Sequence, residues 1–216
     1  MARKKEPERT PVNQKRIVEV AKELFMEKGI ESTKMDEVAK QAGMSKSTLY
    51  VYFKSKEEIV DYISLEAMKY LLELLKTSIS RNEGEKEVTF HDQYMAICHA
   101  MVTYKKEYPM NFQAIVEEIR VDDESLKEKP ILREIFETGE EINQFIIGVL
   151  LQGQSQTDSN QSSMEGFIAK IFAQWGSIYG LIVLADNKES YIQKCMHLTK
   201  EEFLEQGFEQ LYRTMK

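Results

Sequence analysis

The chain is poor in the residues that interrupt helices. Its 216 residues include only four prolines and ten glycines, too few for the turns that a protein built from short strands requires. Hydrophobic residues make up 42% of the chain, which is enough to form a buried core. We therefore predict an all-α fold.

Cysteines and long apolar runs are also scarce. Cys98 and Cys195 lie far apart, without the CxxC spacing of a redox or zinc motif. We interpret both as buried, reduced thiols and predict no cofactor. No run of eighteen apolar residues exists, and the charged start of the chain lacks the apolar stretch of a secretion signal. We therefore expect a cytoplasmic protein that does not enter a membrane.

Charge is divided unevenly along the chain. The net charge is -7, but residues 1–56 hold 13 Lys and Arg against 8 Asp and Glu, a net of +5 that leaves -12 for the remainder. Nucleic acid responds to local positive surface and not to the sum over a chain. The N-terminal quarter is therefore the place to look for a DNA-binding module, joined to a larger acidic body.

Apolar residues recur at helical spacing through most of the sequence. Pro11 begins the first predicted helix and Gly29 ends it, while Thr33 with Asp36 resembles a capping box at the start of the second. The remaining helices are predicted at 45–52, 55–79, 90–106, 111–121, 130–152, 163–185 and 199–215, with a short turn at 191–196. About nine helices result, and the polar stretches 122–129 and 153–163 are predicted as surface loops.

Three residues near the N-terminus have the spacing of a helix-turn-helix. Such a motif needs a small residue where the helices cross, a residue that tolerates positive φ in the turn, and an apolar side chain pointing back inward. Ala39, Gly43 and Leu49 supply these in order. Ser45 is placed to cap the second helix of the motif.

The whole stretch from Thr33 to Glu58, TKMDEVAKQAGMSKSTLYVYFKSKEE, resembles the DNA-binding signature of the TetR family. The resemblance extends back to Arg16 and covers residues 16–58. It implies a helix-turn-helix domain at 10–56 and a helical ligand-sensing and dimerisation domain at 57–216. It also implies a homodimer that binds a palindromic double-stranded operator, and a repressor released by a small-molecule inducer; a ligand-responsive activator is the alternative.

The resemblance also implies which side chains contact DNA. Lys34 and Ser47 stand where threonine and glycine are frequent in the family, so the operator sequence does not carry over. Tyr50 and Tyr52 have the alternative role of packing the domain. The predicted DNA-binding residues are Lys34, Ser45, Lys46, Ser47, Thr48, Tyr50, Tyr52 and Lys56.

Aromatic and methionine side chains are plentiful in the acidic body. At helical spacing they are first of all core residues, and together with a few polar groups they are also suited to line an apolar pocket for the inducer. His91, Cys98 and His99 suggest a metal site as an alternative. No carboxylate at i,i+4 spacing completes a set of four ligands, which disfavours it. The candidate pocket residues are Tyr62, Tyr94, His91, Met95, His99, Phe112, Glu117, Phe145 and Trp175.

Two glycines one turn apart lie on an otherwise apolar helix near the C-terminus. Glycine inside a helix costs about 1 kcal/mol relative to alanine, so the pair indicates a close helix contact. In the family such a helix joins the last helix in a four-helix dimer bundle. The predicted dimer interface is Gly176, Gly180, Leu184, Phe203, Phe208 and Leu211.

Two rival functions are compatible with an all-helical chain. An enzyme would need a nucleophile motif, a phosphate-binding glycine loop or paired metal ligands, and the sequence offers none of them. A helical adaptor without DNA binding leaves the basic N-terminal quarter unexplained. A DNA-binding regulator is therefore the favoured function.

Overall fold

A computed structural model describes residues 11–80, 88–116, 123–154 and 164–215. Throughout these residues the regular structure is helical, which confirms the all-α prediction. The helices are α1 Pro11–Lys28, α2 Met35–Gln41, α3 Lys46–Tyr52, α4 Lys56–Ser80, α5 Phe90–Glu107, α6 Pro109–Ala114, α7 Asp123–Glu128, α8 Pro130–Gln154, α9 Met164–Asn187, α10 Glu189–Tyr191 and α11 Lys200–Met215, with a π-helical turn at Ile192–Met196 after α10.

The predicted loop at 122–129 is wrong in part, because α7 occupies Asp123–Glu128. Leucine, lysine and glutamate in this stretch are good helix formers despite their polarity. The helix ends before Lys129 because Pro130 disfavours helical backbone in the residue that precedes it. Of the predicted loop at 153–163, the first two residues complete α8 and the others lie outside the described residues.

The chain forms two compact units, and each has its own core. The first comprises the described residues of 1–67 and 121–135, and the second those of 68–120 and 136–216. In the first unit α1 buries an apolar stripe that includes Ile17, Ala21 and Phe25, as its spacing predicts. The functional division at residue 56 stays a prediction.

The second unit has aromatic and polar groups in its core. Tyr94 of α5 is 2% exposed, and its hydroxyl donates to Oε1 of Gln174 in α9 at 2.9 Å. The Gln174 amide in turn donates to Thr214 Oγ1 of α11 at 2.7 Å. Burial raises the pKa of the Tyr94 phenol and so keeps it protonated as the donor. This chain of hydrogen bonds fixes three helices against one another.

A carboxylate at the end of α9 is held by two lysines. Asp186 pairs with Lys105 of α5 and with Lys200 of α11. Burial works to raise the pKa of Asp186, but the hydrogen bonds from the two ammonium groups outweigh it, and the pKa lies below its ordinary value. The charge cluster therefore joins the same three helices at the opposite end from Thr214.

The cysteine prediction holds for one residue and fails for the other. Cys98 is fully buried in α5, and burial raises the pKa of its thiol. Cys195 is exposed instead, because it lies on the solvent side of the π-helical turn.

Candidate nucleic-acid interface and ligand groove

The turn between α2 and α3 has the geometry that the sequence predicts. Gly43 adopts φ +70°, in the left-handed region. Its N–H donates to the Lys40 carbonyl at 3.1 Å, and the Met44 N–H donates to the Ala39 carbonyl at 3.0 Å. Ala39 and Leu49 are buried at 2% and 0% exposure. Ala39 is therefore the small buried residue of the motif, Gly43 forms the turn, and Leu49 is the apolar side chain that points inward.

The start of α2 lies one residue later than predicted. Thr33 is buried and donates its hydroxyl to the Gly29 carbonyl at 2.8 Å, so that hydroxyl serves the end of α1. Lys34 is the N-cap, and its N–H donates to Oε2 of Glu37 at 3.0 Å. Glu37 lies three residues after this N-cap, and its side chain is one methylene longer than that of Asp36, so it reaches back to the Lys34 N–H. The predicted box of Thr33 with Asp36 is therefore wrong.

The first turn of α3 presents polar groups to solvent. Ser45 is the N-cap, and its Oγ accepts from the Thr48 N–H at 3.1 Å, as predicted. The hydroxyls of Ser47 and Thr48 lie 2.9 and 2.8 Å from the same Oγ. Ser45, Lys46 and Ser47 are exposed and Thr48 is half-buried. Exposed donors and acceptors at a helix N-terminus suit both phosphate oxygens and base edges.

Two of the other predicted DNA-binding side chains, Tyr52 and Lys56, make hydrogen bonds within the protein. Tyr52 is only 8% exposed and its hydroxyl accepts from Asn13 at 3.0 Å, which fits the alternative packing role. Lys56 donates from Nζ to the Ile30 carbonyl at 2.8 Å. Lys34 and Tyr50 are exposed. The DNA contacts of all four residues stay predictions.

A groove of about 400 Å³ lies along α5 in the second unit. It brings together three of the predicted pocket residues, His91, Met95 and His99. Small and polar residues that the sequence did not indicate also line the groove, one on α4 and the others on α5 at spacings of three or four. The missed residues are Ser78, Asp92, Ala96, Ala100 and Thr103.

The two histidines of the groove face separate carboxylates on α11. His91 Nε2 lies 2.5 Å from Glu209 Oε1, and His99 Nε2 lies 2.5 Å from Glu205 Oε1. The His91 ring also meets the edge of Tyr212 at 4.7 Å between centroids. Each imidazole therefore joins α5 to α11.

The remaining pocket candidates lie elsewhere in the chain. Tyr94 and Phe112 are core residues, and Phe112 stacks on Tyr179 at 5.0 Å. Phe145 and Trp175 are half-buried but do not line the groove, and Glu117 lies outside the described residues.

Tyr62 does not line the groove, and its assignment to the pocket stays a prediction. Tyr62 belongs to the first unit, where its ring meets Phe53 edge-on at 5.2 Å between centroids. An aromatic residue on a long helix can pack at any point along it, and helical spacing alone does not say in which unit.

The predicted dimer residues divide into exposed and buried groups. Gly176, Gly180 and Leu184 are exposed on α9, with Leu184 at 47%. Phe203 and Leu211 of α11 are half-buried. Phe208 is 0% exposed, so its assignment to an interface is wrong. It packs inside the second unit, because that face of α11 lies against the chain's own helices.

The left-handed glycine turn between α2 and α3 and the solvent-facing first turn of α3 together define the class of helix-turn-helix proteins. The family model described as "Bacterial regulatory proteins, tetR family" matches residues 17–63. The N-terminal part of the chain therefore matches this family, where the resemblance over residues 16–58 predicts it.

Relatives with similar sequence are described as regulators. The uncharacterized HTH-type transcriptional regulator YhgD of Bacillus subtilis is 27% identical over 114 residues, which are 53% of this chain and 57% of that protein. The fatty acid metabolism regulator protein of Bacillus subtilis is 34% identical over 71 residues, 33% of this chain and 37% of the relative. The chain therefore matches about half, or less, of the length of these relatives.

Solved structures share the fold over nearly the whole chain. A protein of unknown function from Rhodococcus sp. RHA1 has a TM-score of 0.69 at 12% identity, with 98% of both chains covered. The regulator FadR from Bacillus subtilis, in complex with stearoyl-CoA, has a TM-score of 0.62 at 21% identity, with 91% of this chain and 96% of that chain covered.

Replacing Gly43 by valine tests the turn. A β-branched residue at positive φ is strained, and an added Cβ would lie 3.0 Å from Nη2 of Arg16. We expect Gly43→Val to lose about 1 to 3 kcal/mol of stability, measured by thermal unfolding followed by circular dichroism. Lys46→Ala is the control and should melt like the wild type. An unchanged G43V beside a destabilised K46A would contradict the assignment of the turn.

Proposed function

We propose that this protein is a homodimeric transcriptional repressor that binds palindromic double-stranded DNA through α3 and is released by a small-molecule inducer. The observation that carries the proposal is the exposed first turn of α3, with Ser45, Lys46 and Ser47 held out by the Gly43 turn. The net charge of +5 in residues 1–56 supports DNA as the partner. Such a protein acts in the cytoplasm.

Removing the charge of Lys46 tests DNA binding. We expect Lys46→Ala to weaken binding about 10-fold or more and to flatten its salt dependence by about one ion per protomer. The measurement is fluorescence anisotropy with duplexes selected from a random-sequence pool. Lys188→Ala is the matched control, because it removes the same charge from an exposed turn of the second unit. Equal effects of the two substitutions would contradict α3 as the DNA-binding helix.

An apolar surface on α9 supports the dimer. Phe172 and Leu184 are 61% and 47% exposed, and Gly176 and Gly180 lie on the same helix. Among the described residues of the protomer, nothing lies within 4 Å of a Cβ built at either glycine. By contrast, a Cβ at Gly207 of α11 would meet Leu181 at 2.3 Å. Gly207 therefore serves packing inside the protomer, whereas Gly176 and Gly180 leave room for another helix.

By length and composition, Glu165–Asn187 would also suffice to cross a membrane. We favour a second copy of the chain as the cover for this surface. Small residues at a turn's spacing allow a close helix contact, and a symmetric dimer supplies two recognition helices for a palindrome.

A bulky side chain at Gly180 tests the dimer. Gly180→Leu should keep the fold, because leucine is the better helix former and the protomer has room for its Cβ. We expect the substitution to raise the dimer dissociation constant at least about 10-fold, measured by sedimentation velocity. Gly148→Leu on α8 is the control, since a Cβ there also meets nothing within 4 Å. A monomeric wild type that partitions into lipid vesicles would instead favour the membrane.

An acyl-coenzyme A thioester is the first inducer class to test. One relative is a fatty acid metabolism regulator, and one structural neighbour was solved with stearoyl-CoA. Helix α4 has residues in both units, 56–67 in the first and 68–80 in the second. We infer that ligand binding in the second unit acts on α3 by shifting α4.

Reciprocal titration tests this coupling. We expect an acyl-CoA to lower DNA affinity about 5- to 150-fold, which corresponds to ~1 to 3 kcal/mol, and DNA to lower acyl-CoA affinity by the same factor. Both affinities are measured by fluorescence, with small hydrophobic and cationic compounds as comparison ligands. Ligand binding that is equal with and without DNA would refute the mechanism, and tighter DNA binding with ligand would favour the activator alternative.

A further inference from the structure

An ion pair links the two helices of the helix-turn-helix on their exposed side. Nζ of Lys46, the first residue of α3, lies 2.7 Å from Oδ1 of Asp36, in the first turn of α2. The two side chains are 59% and 62% exposed. The pair therefore forms in water, at the surface, and contributes little to the stability of the fold.

The two charges differ in how well they suit their own helices. A helix N-terminus carries partial positive charge, so it favours an acidic residue and disfavours a basic one. Asp36 suits the first turn of α2, whereas Lys46 stands in the first turn of α3 against the helix dipole. Helix stability therefore explains Asp36 but gives no reason for Lys46, which is placed to meet an anion.

In the free protein the ammonium group of Lys46 is paired with the Asp36 carboxylate. When Lys46 approaches a phosphate it must leave the carboxylate, which then stays close to the negatively charged backbone. Non-specific binding consists almost wholly of such phosphate contacts, while specific binding adds contacts to base edges. Breaking the pair costs the same free energy in every complex in which Lys46 contacts a phosphate, so it lowers the affinity of each such complex by the same factor.

We propose that Asp36 is an affinity-limiting residue, which weakens binding to DNA of any sequence by competing with phosphate for Lys46. This role rests on the proposed function of α3 in DNA binding. Asp36 acts through Lys46 and needs no contact of its own with a base. The neighbouring acidic residue, Glu37, has a different task, since it accepts from the Lys34 N–H and from Lys28 Nζ at 3.0 Å each.

The test compares variants on a labelled duplex of random sequence. We expect Asp36→Asn to raise affinity for this duplex about 3- to 10-fold and to steepen the salt dependence by about 0.9 per protomer between about 50 and 200 mM salt, as one more freely available cation requires. Affinity for a selected duplex should rise by a similar factor, so the ratio of specific to non-specific affinity stays about the same. Glu27→Gln is the control, because it removes one negative charge from an exposed position of α1 in the same unit.

A double-mutant cycle separates competition from a general charge effect. In a Lys46→Gln background, Asp36→Asn should change non-specific affinity no more than Glu27→Gln does. All variants should melt like the wild type in circular dichroism.

Two outcomes would overturn the role of Asp36. One is equal behaviour of D36N and E27Q in a protein that binds DNA, and the other is a full effect of D36N without Lys46. A wild-type protein that bound no duplex at any salt concentration would overturn the proposed function itself, together with this role.

Discussion

The left-handed backbone at Gly43 is the constraint on which the N-terminal unit depends. With φ at +70° at Gly43 the chain passes from α2 to α3 in a short turn, and Ala39 and Leu49 on either side of it are buried. The same turn directs the first residues of α3 to solvent. Because a side chain at this position would be strained and would press on Arg16, the geometry of the exposed surface and the packing of the core are set by one residue.

The second unit is held by a different kind of interaction. Its helices α5, α9 and α11 share an apolar core, but directional contacts fix their positions. Tyr94, Gln174 and Thr214 form a chain of hydrogen bonds at one end, and Asp186 joins two lysines at the other. Buried polar groups must be paired, so these contacts restrict how the three helices can slide. The α9 surface with Gly176 and Gly180 lies outside this network.

Positive and negative charges are concentrated in different parts of the chain. The acidic body gives the chain its net charge of -7, while the first 56 residues carry +5. Within that basic quarter the two acidic residues of α2 pair with particular lysines. Asp36 faces Lys46 of α3, and Glu37 caps its own helix and pairs with Lys28 of α1. Each of these two carboxylates therefore has a defined partner within the first unit.

The sequence by itself determined the helical class, most helix bounds and the turn at Gly43, because helical periodicity, caps and positive φ are local properties. It also determined which part of the chain is basic. Only the tertiary structure decided which face of each helix is buried against another. Phe208 is in the core and not at an interface, Tyr62 packs in the first unit, and two histidines of α5 meet glutamates of α11 more than a hundred positions away. Such pairings depend on how helices dock, which residue spacing along one helix does not specify.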